Sequence, residues 1–363
     1  MKISSNVLQF AAGNMKLFEQ FQDYWNHYQS VNQGKKIEFD TTLSFDEKEQ
    51  KLNAALRKEI IRRSGVTYAT ETNIGEWFYH PLVQHEMFAV IGAMVDMVLP
   101  ESIIDTIGMY TDVRQGGFGD SFAFDVAPRD LFVVSKAGKG IRFSEVRKQY
   151  KGQVTIIPEF HQLTVGVSLY GVLAGKESLA ELVSKVVRSM ETQMTLDAYN
   201  AFATAMANVS STATTGLLVS GYSQASLMRL CEQVSAWNGG AKAIVMGTSL
   251  ALINVLPDET NYRYTLNDPY VTLGYIPTLG GYDILRLPQV VNIEVPFGRA
   301  ISDSYLWILS PTAQKILKLC LEGNTLSFTN EPFDNANLQQ NSVLTKSWGV
   351  GVATNAVAGV ITL

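Results

Sequence analysis

The sequence predicts an α+β protein in which a helical N-terminal arm, a long β-ribbon, one very long helix and an α/β unit follow one another. Three observations carry that reading. Residues 176–208 contain no glycine or proline and repeat apolar side chains at helical spacing. Residues 121–126 and 163–169 alternate apolar with polar, as half-buried strands do. Residues 224–309 switch between short helical and strand patterns. The 363 residues are 46% hydrophobic, which excludes wholesale disorder. Charged residues reach 17%, below the roughly 25% of ordinary soluble domains, so part of the surface is expected to be covered by protein. At about 150 residues per domain, the length suggests two or three units.

Met15 to Val31 reads as a helix with an aromatic face made by Phe18, Phe21, Tyr24, Trp25 and Tyr28. A second helix runs from Ser44 to Arg63. It opens on a capping box of Ser44 with Glu47 and stops at Gly65. Neither has enough apolar residues for a core of its own, so residues 1–70 are expected to lie as an arm on another surface. Met87–Leu99 is the most apolar window; it carries Asp96 and is shorter than the ~20 residues of a spanning helix. Gln9 interrupts Val7, Leu8 and Phe10, so no signal-peptide core is evident. The expectation is a soluble protein, with no membrane partner, that stays in the cell making it.

In the ribbon, Phe122, Phe124 and Val126 alternate on one side, and Leu163, Val165, Val167 and Leu169 on the other. Between them lies a basic set of Lys136, Lys139, Arg142, Arg147, Lys148 and Lys151. A two-stranded ribbon is marginal alone, so it too needs a surface. The long helix, at ~1.5 Å per residue, would extend roughly 50 Å, with a phase slip near Thr195. Beyond the Ser/Thr/Gly-rich residues 209–223 come a helix at 224–237, a strand at 243–246, a helix at 249–256 and strands near 283–287, 290–295 and 305–309. After Pro311 a short helix is expected, then a strand with Leu326 and Phe328. Trp348-Gly349-Val350-Gly351-Val352 reads as a last strand returning to the first unit.

Chemistry is sparse. Four histidines, at 27, 80, 85 and 161, show no metal-ligand spacing. Cys231 and Cys320 read as small buried apolar residues. Gly171 to Glu177 imitates a phosphate loop but has Glu177 where a hydroxyl would hold magnesium. Gly221-Tyr222-Ser223-Gln224-Ala225 imitates a nucleophile elbow, yet every histidine precedes Ser223, whereas that fold places its histidine after the serine. A helix N-cap explains Ser223 as well. No cofactor or catalytic set is expected. Net charge −5, spread along the chain, argues against nucleic-acid binding by bulk attraction.

In this order, arm, ribbon, long helix and α/β unit resemble the major capsid proteins of tailed bacteriophages, the Hong Kong 97-type fold. The resemblance is one of ordered architecture, for the family has no diagnostic short motif. It implies an N-terminal arm with adjoining helices at 1–108, an extended loop at 109–172, a peripheral domain with the spine helix at 173–214, an axial domain at 215–316 and returning peripheral strands at 317–363. The last would include a turn at Leu319–Gly323. It further implies a virion protein, assembled in the host cytoplasm into an icosahedral shell of hexamers and pentamers around double-stranded DNA that it touches without sequence specificity. Scaffolding, portal and decoration proteins would be its other partners. Subunit contacts are expected at Phe18, Phe21, Trp25, Lys139, Arg142, Arg147, Lys148 and Lys151. Some members of that family begin with a fused scaffolding segment of roughly a hundred residues; the region before the ribbon is only about 108 residues, so no cleavage, and a separate scaffold or none, is expected. The rival readings are an encapsulin-like shell around an enzyme, a serine hydrolase using Ser223, and a tail-tube protein of mostly β content.

Overall fold

A four-stranded sheet carries the first unit, and four helices are stacked on one of its faces. The computed structural model describes residues 14–33, 37–66, 81–107, 111–126, 152–167, 171, 176–211, 217–256, 273–287, 289–292, 295, 298–310, 315–329, 340–353 and 356–363. The helices are α1 (Met15–Gln33), α2 (Phe45–Ser64), α3 (Pro81–Ile107) and α4 (Leu179–Ser211). The strands are β1 (Thr111–Gly116), β4 (Glu159–Val167), β12 (Leu317–Thr329) and β13 (Gln340–Val352), in the order β1-β12-β13-β4. β1 runs parallel to β12, and the other pairs are antiparallel. α3 and α4 lie on the sheet, α2 packs across both of them, and α1 packs on α2.

The expected arm is therefore not an arm over its described length. Leu17, Phe21, Tyr24 and Trp25 of α1 and Leu52, Leu56 and Ile60 of α2 enter the same core as α3, α4 and the sheet. The surface they needed is supplied by α3, which is apolar almost all round; Met87, Phe88, Val90, Ile91, Met94 and Val95 are all buried. Such a helix shows no amphipathic period and gives sequence reading little to hold. Its window Leu82–Leu99 is apolar enough and long enough to cross a membrane, and two-thirds of it is buried inside the protein.

The predicted caps are present. Ser44 accepts from Glu47 N while the Glu47 side chain accepts from Ser44 N, and Gly65 ends α2 with φ 65°. A cap that the pattern did not announce ties α2 to α4. Asn53, buried, donates to Ser178 Oγ at 3.0 Å and accepts from Ala180 N at 3.0 Å, while Ser178 accepts from Glu181 N.

α4 spans 33 residues, roughly 50 Å, as the pattern requires. Its phase slip near Thr195 has a physical meaning. Leu179 to Met194 serve the first core, whereas Tyr199, Phe202 and Ala203 pack against a second one around Trp307, Leu309 and Val360. The buried stripe rotates where the partner changes.

The second unit is a six-stranded sheet in the order β5-β14-β11-β6-β8-β7. These strands are β5 (Leu218–Ser220), β6 (Ile244–Gly247), β7 (Thr278–Leu279), β8 (Tyr282–Arg286), β11 (Tyr305–Leu309) and β14 (Gly359–Thr362). α5 (Gln224–Trp237) and α6 (Ser249–Leu252) cover one face, and the end of α4 meets the other. β9 (Val291–Asn292) and β10 (Gly298–Arg299) make a short separate pair.

Three expectations are corrected here. Residues 319–323 are not a turn but the middle of β12, which carries a bulge between Glu322 and Leu326 with Gly323 at φ 55°. The short helix before Leu326 is replaced by β12 from Leu317 onward; residues 311–314 lie outside the described residues. The end of the chain does not stay with the returning strands, because β14 inserts between β5 and β11 of the second sheet. Alternating apolar residues announce β13 at 348–352 but leave β14 unannounced, and alternation does not say which sheet a strand joins.

Candidate functional site

The predicted contact residues divide into three groups. Phe21 and Trp25 are buried in the chain's own first core and present nothing to a neighbour, which corrects their assignment to an interface. Phe18 is partly buried against the same core. Lys139, Arg142, Arg147, Lys148 and Lys151 lie outside the described residues.

The face of the four-stranded sheet turned away from the helices is partly open: Thr345 and Ser347 at its centre are buried, and large apolar side chains on the flanking strands are exposed. Register fixes its composition. On β13, Leu344 and Trp348 point to the helical core, so Val343, Thr345, Ser347, Gly349 and Gly351 point outward. Phe328 stands opposite Val343, Leu326 opposite Thr345, and Phe160 opposite Ser347. Phe328 is 58% exposed and Phe160 63%, and Ile157, just before β4, is 79% exposed. Phe160 and Phe328 stand on the two strands that flank β13, four residues apart in register, and exposed large apolar side chains of this kind mark a protein contact. β4 is also the terminal strand, and its outer edge is unpaired among the described residues.

The other end of this face is already occupied. The base of the ribbon, β2 (Phe122–Val126) paired with β3 (Gly152–Ile156), lies over it. Phe122, Phe124 and Ile156 cluster with Cys320 and Ala353. The Gly-Val-Gly of residues 349–351 now has a reason. A Cβ on Gly349 would meet Ile157 O at 2.8 Å and Cys320 Sγ at 2.9 Å, and one on Gly351 would meet Ile156 at 2.9 Å. Arg114 stacks over Phe124 at 4.2 Å and donates to Ala123 O, and buried Lys318 reaches Asp112 at 3.3 Å.

Polar groups fasten the sheet to its helices. The His161 ring stacks on Trp348 at 3.7 Å and its Nε2 lies 3.5 Å from Asp197 of α4, while Trp348 Nε1 donates to Asp197 at 2.9 Å. Asp96 of α3 accepts from Lys346 Nζ at 2.6 Å and from Thr325 N and Oγ1 at 2.8 and 2.7 Å. Burial pushes the Cys231 thiol up to about 12 and that of Cys320 to about 11, so neither is a thiolate at neutral pH. Ser223 is the N-cap of α5; its hydroxyl accepts from Ser226 N at 3.1 Å and contacts Ser226 Oγ at 2.6 Å. Among the described residues no cluster of His, Cys, Asp or Glu could hold a metal ion.

What this open face belongs to is decided by sequence. The profile of one protein family, described as "SPbeta prophage-derived putative capsid protein YonB", matches residues 28–362. The chain belongs to the YonB family. The match begins inside α1 and ends inside β14, so both sheets and every helix between them fall within it. No curated protein matches the sequence. Similar solved structures include the mature capsid of bacteriophage PhiM1, 10% identical over 70% of this chain and 85% of that one, TM-score 0.43. The capsid of cyanophage P-SCSP1u is 10% identical over 70% and 86%, TM-score 0.45. A virus-like particle from Pyrococcus furiosus is 11% identical over 74% and 97%, TM-score 0.40. In this YonB-family chain Phe328 was placed in a strand without its exposure being foreseen, and Ile157 and Phe160 escaped sequence reading. Their signal was a phase error: Phe160 sits out of step with Leu163 and Val165, so the strand is apolar on both faces there.

Proposed function

We propose that this chain is the major capsid protein of a tailed phage or prophage, a structural and non-enzymatic subunit whose copies close into an icosahedral shell around double-stranded DNA. The observation that carries the reading is the pair of exposed aromatics, Phe160 and Phe328, on the helix-free sheet face beside an unpaired edge, in a member of a capsid family. The order of ribbon, long helix and α/β unit supports a Hong Kong 97-type arrangement. In it, 109–172 is the extended loop, and the first unit is built from residues up to 211 together with 317–353. The axial unit is 217–310 completed by 356–363. Assembly would occur in the host cytoplasm, with hexamers and pentamers as intermediates and with scaffolding, portal and decoration proteins as further partners. Electron microscopy of the purified full chain, alone and with a scaffold, tests the reading. Closed particles or rings are the expected result. Single chains under every condition, or particles filled with a cargo enzyme in place of nucleic acid, would overturn it.

A further inference from the structure

We propose that the exposed face of α2 is a nucleic-acid-facing surface of the shell; this rests on the capsid reading and adds to it which side of the subunit turns inward. The chain as a whole is acidic, but residues 51–63 hold five basic residues, Lys51, Arg57, Lys58, Arg62 and Arg63, against the single acid Glu59. Glu59 is buried and offsets part of the charge of Arg62, which leaves Lys51, Arg57, Lys58 and Arg63 to carry the excess. It lies beneath the arginines, bonded to Arg62 at 2.6 Å and 3.7 Å from Arg63, and it also accepts from Asn14. Lys51, Ala54, Lys58 and Arg62 are exposed at spacings of three, four and four, so they form one continuous stripe along the helix. Arg62 is 65% exposed, and Arg63 contributes a looser contact to Glu86 at 3.8 Å. Lys51, Arg57 and Lys58 enter no ion pair within 4 Å among the described residues, and the acids of this helix's exposed face, Asp46 and Glu47, lie at its opposite end, where Glu47 feels the charge of Lys51.

Position supplies the second half of the argument. The stripe sits in the tier of helices farthest from the ribbon-bearing sheet face, since α2 packs across α3 and α4 while those two rest on the sheet. A closed shell one subunit thick has two sides, and the apolar sheet face with its ribbon is suited to protein. The opposite tier, locally positive in a negative chain, is suited to a polyanion. The run from Lys51 to Arg62 is roughly 16 Å long at ~1.5 Å per residue, against one phosphate per ~3.4 Å along each strand of a duplex. That geometry allows several phosphates to be met without reading a base, and it leaves the acidic remainder of the chain to keep the contact weak and reversible.

The test measures binding of the purified full chain to a generic duplex of about 20 base pairs, from about 50 to 200 mM salt. The triple variant Lys51→Glu, Lys58→Glu, Arg62→Glu is compared with wild type, with Arg229→Glu, Arg286→Glu as a control for loss of positive charge on the second unit. The expected result is at least a tenfold loss of affinity at low salt, with the log–log salt slope reduced by about 2 to 3, since each phosphate contact contributes about 0.9. The control should keep the wild-type slope. If the glutamates lower the melting temperature, the Lys51→Gln, Lys58→Gln, Arg62→Gln variant replaces them. Wild-type protein that ignores the duplex at low salt overturns the proposal, as do equal slopes for wild type and variant. Tighter binding to phosphatidylglycerol vesicles than to duplex also overturns it. Particle formation is scored on the same preparations. Normal particles with an unaltered slope sink the stripe alone, whereas duplex binding without particles sinks the capsid reading alone.

Discussion

Asp96 and Lys346 are each only 6% exposed, and they hold α3 against the bulge of β12, where Lys346 also donates to Gly323 O. Removing one partner strands the other in a dry place. Asp96→Leu should therefore cost about 3 to 5 kcal/mol in urea unfolding, while the double change Asp96→Leu, Lys346→Met should recover most of that loss. A milder electrostatic device sits at His27, whose ring stacks on Phe39 at 4.3 Å. Burial, and then the Lys48 ammonium beside it, hold its pKa below the ordinary 6.5, partly opposed by Asp23. The unfolded chain therefore takes up that proton first, and the native state loses stability as pH falls below about 6.5. His27→Gln should flatten the fall in unfolding free energy between pH 7.5 and 5.5, and an unchanged fall would locate the acid sensitivity elsewhere. At this scale sequence reading did well where the partner is local. Ser44 with Glu47, Gly65 and Ser223 were all legible because capping is a matter of three or four residues. Asn53 was not, because the backbone it caps lies 127 residues away.

Elements were legible in proportion to how one-sided they are. The pattern of α4 is legible almost to its ends, and its phase slip, which suggested a bend, marks a change of packing partner. α3 passed unread as a core element because a helix buried all round has no polar face to set its period. β12 was broken into turn, helix and strand because Gly323 looks like a stop; in the structure it is a bulge that lets the strand continue with Phe118 packed on the glycine. Two measurements follow at this scale. Asn53→Ala should lower global stability by about 1 to 2 kcal/mol by uncapping α4, read from the denaturant midpoint. Gly349→Val should push the ribbon base off the sheet at a cost of about 1 to 3 kcal/mol. Amide exchange in 122–126 and 152–156 should then accelerate ahead of the helices; exchange that stays as slow as in wild type would show that the glycines do not seat the ribbon.

At the level of the whole molecule, the order of parts was legible and their destinations were not. The arm was expected on a neighbour because its helices cannot form a core alone; the same deficit is met within the chain, since α3 supplies the missing apolar surface. What remains open after folding is a smaller and flatter patch than the sequence suggested, and it gives a sharper prediction. Phe160→Asp with Phe328→Asp should leave the monomer's melting temperature nearly unchanged, because both side chains are mostly in water already. The same pair should abolish closed particles in electron micrographs; normal particles from it would move the contact to another surface. Finally, β14 enters its sheet between β5, some 140 positions earlier, and β11. The six-stranded sheet can close only after the ribosome has passed residue 362, so a nascent or prematurely stopped polypeptide carries an open seam between β5 and β11.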